Sequence, residues 1–457
     1  MPLEHIPDVL LPVADRRQAG QSLRKLVPRS LHADWTPPAG RRDPVQTLIE
    51  TDRHRIAHLL PIRYNRMRAS PLAFLRGSAA VMAADLAATP ASGLWVQSCG
   101  DSHLGNFGSF ASTDGTPVFD LSDFDETLPA PFEWDLKRLA ASFAVAAKSH
   151  GQADKMGRQL ARTVVLAYRT HMSDLMRLDP LEGWRSRIDI ARVFGAIDEE
   201  KLRARELKRL AVLTEAQRRG YPKLIERRGG ALRIRARPPF VVPLGTDPDD
   251  AHEVAARTAF NSYRLTLPEE RRLLVERYRL ADLAFKVVGV GSVGSFCVIA
   301  LLVTADGGTL LLQIKEAQAS VLAPYAGPSV FRNQGHRVVS GQLLMQAEPD
   351  MFLGWTEDQG EDLHCYVRQL KDQGVVAPGA ALAPLALPHD AVLCGSALAR
   401  AHARSGDAAR IAGYMGSGGV FDAAVADFAV AYAEQTERDW RLFLAAIQAG
   451  RIEAHSP

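Results

Sequence analysis

The stretch that most narrows the possible folds is residues 284–317, AFKVVGVGSVGSFCVIALLVTADGGTLLLQIKEA. Its β-branched residues and glycine punctuation give an antiparallel sheet by pattern. Gly289, Gly291 and Gly294 form a GxGxxG. In a dinucleotide-binding fold that motif ends a strand and opens a helix, with an acid about 20 residues further on. Here the residues that follow, SFCVIALLV, are strand-like, and an Asp306-Gly307-Gly308 turn sends the chain back as TLLLQIKEA. The reading is a Gly-rich hairpin, with Ser292 among its glycines, followed by a strand that carries Lys315. Glycines let a backbone approach phosphate oxygens that a Cβ would exclude, and a strand lysine can pair with those phosphates. A plain hairpin with glycine at its bends is the competing reading, and the surrounding motifs are the test.

A second segment, Gly100-Asp101-Ser102-His103-Leu104-Gly105-Asn106, has an Asp and, five residues on, an Asn. In a catalytic loop with this spacing the Asp accepts a hydroxyl proton and the Asn amide oxygen ligates a divalent metal. Hard cations such as Mg²⁺ take oxygen ligands, usually one or two carboxylates plus phosphate oxygens. Asp120, Asp123, Asp125 and Glu126 fall together in FDLSDFDE. Acids so close repel one another unless a cation neutralises them. A solvated acidic turn or an Asx-capped loop is the alternative.

These motifs carry a resemblance. GDSHLGN, DFDE and EWDLKRLA are similar to the Gly-Asp-x-His-x-x-Asn, Asp-Phe-x-x-x and x-x-Asp-Leu-x-x-Leu series of the aminoglycoside and choline kinase-like families. The resemblance implies that Asp101 is the catalytic Asp, His103 a loop-positioning residue and Asn106 a metal ligand. It makes Asp123 the metal-binding Asp, with Asp120 and Asp125 as rivals for the register, and Asp135 the brace of the catalytic loop. Through PIRYNRM, FLRGSAA, GDSHLGNFG, DFDETLP and HCYVRQLKDQ most of the chain also resembles the bacterial family of unknown function DUF2252, whose name carries no reaction.

The motifs come in an unusual order. Kinases run from Gly-rich loop and lysine strand to catalytic loop and metal Asp, whereas here the latter pair, at 100–126, precedes the former, at 286–370. AVLCGSALARAHAR (391–404) resembles the Leu-Ala-x-x-His helix that leads into a catalytic loop, and joining its end to the strand near residue 95 restores the usual order. Chain termini often lie close together, which makes permutation physically accessible. The expectation is an α+β, protein-kinase-like two-lobed fold, circularly permuted, with extra N- and C-terminal helices. Residues 1–45 read as an irregular leader and 46–280 as a helical lobe with inserted basic helices. Residues 281–375 read as a small β-rich nucleotide lobe and 376–457 as helices completing the helical lobe. One departure stands out: no Asp or Glu occurs between Ala317 and Ala347, so Lys315 is left with Glu316, Glu348 or a phosphate as partner.

Composition closes off other classes. With 47% hydrophobic and 23% charged residues in 457, the chain can bury a sizeable core and is not a disordered type. A net charge of +3 gives no global case for a nucleic-acid or membrane partner. Lys201–Arg237 holds thirteen Lys/Arg against three Glu, a possible phosphate-binding face, but Tyr221 is its one aromatic and base stacking has little support. A solvated helical face is the favoured reading there, and also for Glu434, Glu437 and Asp439. Arg63, Arg66, Arg68 and Arg76 could clamp phosphate or form surface ion pairs. Tyr366 and Arg368 fall where a hinge would meet adenine through its backbone. An Asp114-Gly115 turn and a Pro/Ala linker at 378–388 punctuate the chain. Cys99, Cys297, Cys365 and Cys394 are scattered, against a zinc ribbon or disulfide framework. The N-terminal sequence lacks a basic n-region, and the longest apolar run, Phe296–Val303, is far short of the roughly 20 residues that span a bilayer. The expectation is a cytoplasmic phosphotransferase that uses ATP and Mg²⁺ on a small-molecule or protein hydroxyl. Transfer of AMP by the same site, a non-catalytic nucleotide-binding pseudokinase and, more weakly, nucleic-acid binding through 201–237 are the alternatives.

Overall fold

The first part of the chain folds onto the last. The computed structural model describes residues 10–112, 115–195, 199–218, 223–245, 251–356, 363–370 and 386–455; Asp114, Tyr221 and 378–385 of the linker fall outside them. The expected irregular leader is corrected over Val13–Ser22, which forms a helix (α1). A Cβ added at Gly20 would meet the Arg410 carbonyl oxygen at 2.0 Å, so the two segments lie backbone against backbone. Arg24 and Arg29 donate to the carbonyls of Tyr414 (2.8 Å) and Met415 (2.7 Å). A short helix held by tertiary packing leaves no periodicity to read.

His32 is fully buried in this junction, 2.7 Å from the Tyr414 hydroxyl. Burial, and then the charge of Lys137, drop its pKa from 6.5 to about 3. The unfolded chain therefore binds this proton more tightly, and the stability kept by the neutral ring is full above pH 6.5 and lost as pH falls toward 3. Unfolding free energy is expected to fall by about 1.4 kcal/mol per pH unit from this one group. Urea titrations at pH 6.5 and about pH 5 should show that extra slope in the wild type relative to His32→Gln. Equal slopes would refute the assignment.

Two helices, Leu60–Met67 (α2) and Pro71–Gly77 (α3), each start with a proline in the first turn, where its missing N–H is no loss. Ser70 caps α3 by accepting from the Ala73 N–H at 3.1 Å. Strand Trp95–Ser98 (β1) feeds the Gly100–Asn106 loop, and Phe107–Ala111 (β2) pairs antiparallel with Pro117–Leu121 (β3). Leu128–Pro131 (β4) returns to β1, with Ser98 opposite Leu128. Phe132–Ser149 (α4) then runs through the core, buried on nearly every face, beside Asp154–Leu175 (α5).

A six-stranded antiparallel sheet forms the other layer. Its strands are Val241–Pro243 (β5), Arg279–Lys286 (β6), Cys297–Val303 (β7), Thr309–Glu316 (β8), Gly354–Trp355 (β9) and Cys365–Gln369 (β10), in the order β9-β10-β8-β7-β6-β5. The hairpin read from the sequence is present: Cys297 lies opposite Lys315, Val303 opposite Thr309, and Gly307 turns the chain with φ 88°. β7 is buried along its whole length because both faces are covered. Val298, Ala300 and Leu302 meet Phe260 and Tyr263 of the helix Ala251–Thr266 (α6), while Ile299 and Leu301 meet Leu224 and Ile234 beside the hairpin 225–234. The sheet thus draws on residues well before 281, where the sequence placed its start.

Helix Gln334–Met345 (α7) follows β8, and Leu387–Ala403 (α8), Ala408–Met415 (α9) and Val420–Gln448 (α10) complete the helical layer around α4 and α5. Asp439 of α10 is not solvated as expected. Arg41 bridges it to Asp85, donating at 2.9 Å and 2.8 Å, so three sequence-distant segments share one buried ion cluster. The four cysteines are free and buried, and no described helix is long and apolar enough to cross a membrane.

Candidate active site

The Gly100–Asn106 loop is shaped by what surrounds it. Gly100 has φ 81°, and a Cβ there would stand 2.3 Å from the Glu126 carbonyl oxygen, so only glycine fits. Asp135, in the first turn of α4, accepts from the N–H groups of Cys99 (2.6 Å) and Gly100 (3.0 Å). His402 of α8 meets the same carboxylate at 3.1 Å, and the Tyr168 hydroxyl meets the other ring nitrogen of His402 at 2.9 Å. Asp135 therefore braces the loop, and helices from two distant parts of the chain brace Asp135.

Arg138 lies one turn further along α4, on the same face as Asp135. Its Nε donates to Asp101 Oδ1 at 2.7 Å, and a terminal nitrogen donates to the same oxygen. Sequence reasoning missed Arg138; its spacing from Asp135 was the available signal. Asn106 donates from Nδ2 to the Asp101 carbonyl at 2.6 Å and closes the loop. His103 is buried, accepts from the Gly105 N–H at 3.0 Å and lies 3.7 Å from Asp101. Burial lowers its pKa to about 3, against the pull of Asp101, so the ring is neutral and positions the loop.

The acids on and after β3 separate into two roles. Asp120 faces inward: it accepts from the Leu121 N–H (2.9 Å) and Ala347 N–H (3.1 Å) and is paired with the fully buried Arg400. It is not part of the cleft that Asp123, Asp125 and Glu126 line. Lys315 on β8 is ion-paired with Asp125 and lies 3.9 Å from Asp123. Neither suggested partner of Lys315 is used: Glu316 accepts from the Phe296 N–H at 2.9 Å, and Glu348 meets Arg187 at 3.2 Å. The Tyr366 hydroxyl donates to Asp125 at 2.7 Å, and Arg368 donates to the Ser122 carbonyl at 3.0 Å. These β10 side chains hold the acidic turn. In the helix that lacks acids, Arg337 donates to the carbonyls of Thr127 (2.7 Å) and Asp125 (2.8 Å).

The Gly-rich loop between β6 and β7 is gripped from the N-terminal side. Arg63 donates to the carbonyls of Val290 (2.7 Å) and Gly291 (3.0 Å), Arg66 to that of Gly289, and Arg55 to that of Val293 (2.8 Å). Asp52 holds Arg55 and Arg63 in turn, at 2.7 Å and 3.1 Å. Gly289 and Gly294 take positive φ at the ends of the loop, and Gly291 and Ser292 line the cleft. The cleft has a volume of about 660 Å³ and also takes in Asp101, Asn106 and Arg76.

Electrostatics mark its acidic wall. Burial and the neighbouring Asp125 push Asp123 above the ordinary aspartate value, against Lys315 and Arg368. Burial also works against charge on Asp125, yet Lys315 and the Tyr366 hydroxyl hold it down to about 2. Burial lifts Glu126 to about 7, against the Val321 N–H and Arg337. Burial opposes the charge of Lys315, and Asp123 and Asp125 more than restore it. A divalent cation fits this donor set, since it would relieve the repulsion that raises Asp123. Asp123 and Asn106 both line the cleft, and their side-chain oxygens are the groups that would hold such an ion. Among the described residues no group of three or more His, Cys, Asp or Glu can hold a metal ion. An ion held there would need an oxygen-rich ligand to complete its shell, as is usual for Mg²⁺.

Fold and cleft together define an α+β protein whose acidic centre and Gly-rich hairpin come from opposite halves of the chain. The chain belongs to the family described as "Uncharacterized protein conserved in bacteria (DUF2252)", whose model matches residues 55–446. No curated protein and no solved structure matches it.

Proposed function

We propose that the cleft binds a nucleoside triphosphate with Mg²⁺ and transfers the terminal phosphoryl group to a hydroxyl. On this reading the architecture is kinase-like and two-lobed, with its segments in permuted order. The observation that carries it is convergence. Asp123 and Asp125 from the acidic turn and Asp101 and Asn106 from the braced loop line one cleft with Gly291 and Ser292, and Lys315 from the hairpin sheet is ion-paired with Asp125 in its wall.

The Gly-rich loop covers the phosphates, and Lys315, poised between two carboxylates, pairs with them. Asp123 and the Asn106 amide oxygen would hold Mg²⁺, which when bound supplies charge neutralisation at the phosphates. Asp101 orients the acceptor and takes its hydroxyl proton. The acceptor oxygen bonds to the terminal phosphorus as the bond from that phosphorus to the bridging oxygen breaks, and the nucleoside diphosphate leaves with the electron pair. Positioning and charge stabilisation are the catalytic contributions of the protein. The lack of any Asp or Glu in the helix that follows the Lys315 strand is the one feature that favours transfer of the nucleotidyl group by the same residues.

A thermal-shift titration tests the site. ATP with Mg²⁺ is expected to raise the melting temperature of the wild type, by an amount equivalent to about 2.7 kcal/mol at a hundredfold excess over Kd. Asp123→Ala and Lys315→Ala, each confirmed folded, should lose the shift. Label from the γ position of ATP entering product marks phosphoryl transfer, and label from the α position marks nucleotidyl transfer. Absence of any shift with ATP or GTP removes the proposal, and a shift without transfer of either label leaves a nucleotide binder in its place.

A further inference from the structure

Buried cations normally have anions beside them, because an uncompensated charge out of water is costly. Around this cleft the rule holds for Arg55 and Arg63 with Asp52, for Arg138 with Asp101 and for Lys315 with Asp125. Arg337, which has no paired carboxylate, spends its donors on the carbonyls of Thr127, Asp125 and Gln318, whereas Arg76 has neither kind of partner among the described residues. Arg76 stands at the end of α3, half-buried on the cleft wall, and its Nε is buried with no hydrogen-bond partner among the described residues. Burial depresses its pKa, and Asp101 pulls it back, but that carboxylate is already engaged by Arg138.

The placement of Arg76 is specific. Its Nε lies 3.2 Å from where a Cβ on Gly105 would stand, so the guanidinium rests on the Gly100–Asn106 loop in space that a side chain would take. The carbonyl oxygen of the same residue lies 3.4 Å from where a Cβ on Gly291 would stand. Arg76 thus spans from the Gly-rich loop to the braced loop. The braced loop contains no Lys or Arg of its own.

We infer that Arg76 is a further anion-binding residue of this cleft, and that its ligand is a phosphate group lying between the Gly-rich loop and the Gly100–Asn106 loop. A guanidinium presents a planar fork that matches phosphate oxygens two at a time. Of the other candidates for a phosphate clamp, Arg63 and Arg66 donate to loop carbonyls, and Arg68 is exposed and outside the cleft lining. The inference shares with the nucleotide proposal only the identity of the molecule that carries the phosphate.

Calorimetric titration of the whole chain with inorganic tripolyphosphate, with ATP plus Mg²⁺ and with adenosine decides the matter. The wild type is expected to bind the first two. Arg76→Gln should weaken both by about 10- to 100-fold, the range for a lost hydrogen bond to a charged group. Arg76→Lys should fall between, because it keeps the charge and loses the fork. Adenosine binding should be equal in all three proteins. Since Arg76 holds no carboxylate, Arg76→Gln should melt no lower than the wild type, which separates lost binding from lost folding. Equal tripolyphosphate and ATP affinities in wild type and Arg76→Gln overturn the inference and leave the nucleotide proposal standing. Arg76-dependent tripolyphosphate binding without ATP or GTP binding does the reverse. A wild type that binds none of the probes overturns both.

Discussion

Asp101→Asn is expected to lower the rate of label transfer from the γ position of ATP by at least about 10²-fold, the usual contribution of a positioned general base. ATP with Mg²⁺ should still raise the melting temperature, because the substitution leaves Asp123, Lys315 and the Gly-rich loop in place. An amide keeps the shape of the carboxylate and loses its ability to take a proton. It also deprives the buried Arg138 of its anion, so a lower melting temperature without ligand belongs to the expected result. Rate and stability report different consequences of one change, and the rate at saturating ATP is the deciding one. A folded Asp101→Asn protein that transfers label at the wild-type rate takes the catalytic role away from Asp101.

Asp120→Ala should destabilise the fold by about 3–5 kcal/mol, the scale for removing one partner of a buried ion pair. Arg400 is fully buried and would lose its carboxylate, and the Leu121 and Ala347 N–H groups would lose their acceptor. The folded protein should keep Mg²⁺-dependent nucleotide binding. Asp123→Ala is its mirror image, since that carboxylate is partly exposed in the cleft and held above its ordinary pKa. Its loss should cost little stability and abolish the metal dependence. Urea unfolding and ATP titrations with and without Mg²⁺ measure both effects. The milder Asp120→Asn guards against outright unfolding: unchanged stability with lost metal dependence in that variant would hand the metal to Asp120.

Three acids within six residues could not be sorted from sequence because their difference is geometric. Asp120 is still on β3 and points into the helical layer, whereas Asp123 and Asp125 lie past the end of the strand. The hairpin with Lys315 was legible because β7 is covered on both faces, which demands the unbroken apolar run FCVIALLV. The partner of Lys315 was not, since Asp125 is 190 residues away and nothing local announces the pair. The same holds for the grip of Arg63 on the Gly-rich loop, whose partners are carbonyls that any residue could supply. Helix α1 and the three-residue strand β5 are fixed by packing and sheet pairing, forces that leave little trace in a short window of residues.

The brace on Asp135 has a consequence for how the protein is made. His402 lies 267 residues beyond Asp135, and Arg400 lies 280 beyond Asp120. A ribosome adds about 5–20 residues per second, so the acidic loops leave the tunnel roughly 15–55 s before their helix does. Through that interval the nascent chain carries apolar α4 and two carboxylates destined for burial without the partners that make burial tolerable. Release of the C-terminal helices is the event that lets the first-made loops settle, and a message truncated before residue 400 would yield a chain in which Asp120 lacks Arg400 and Asp135 lacks His402.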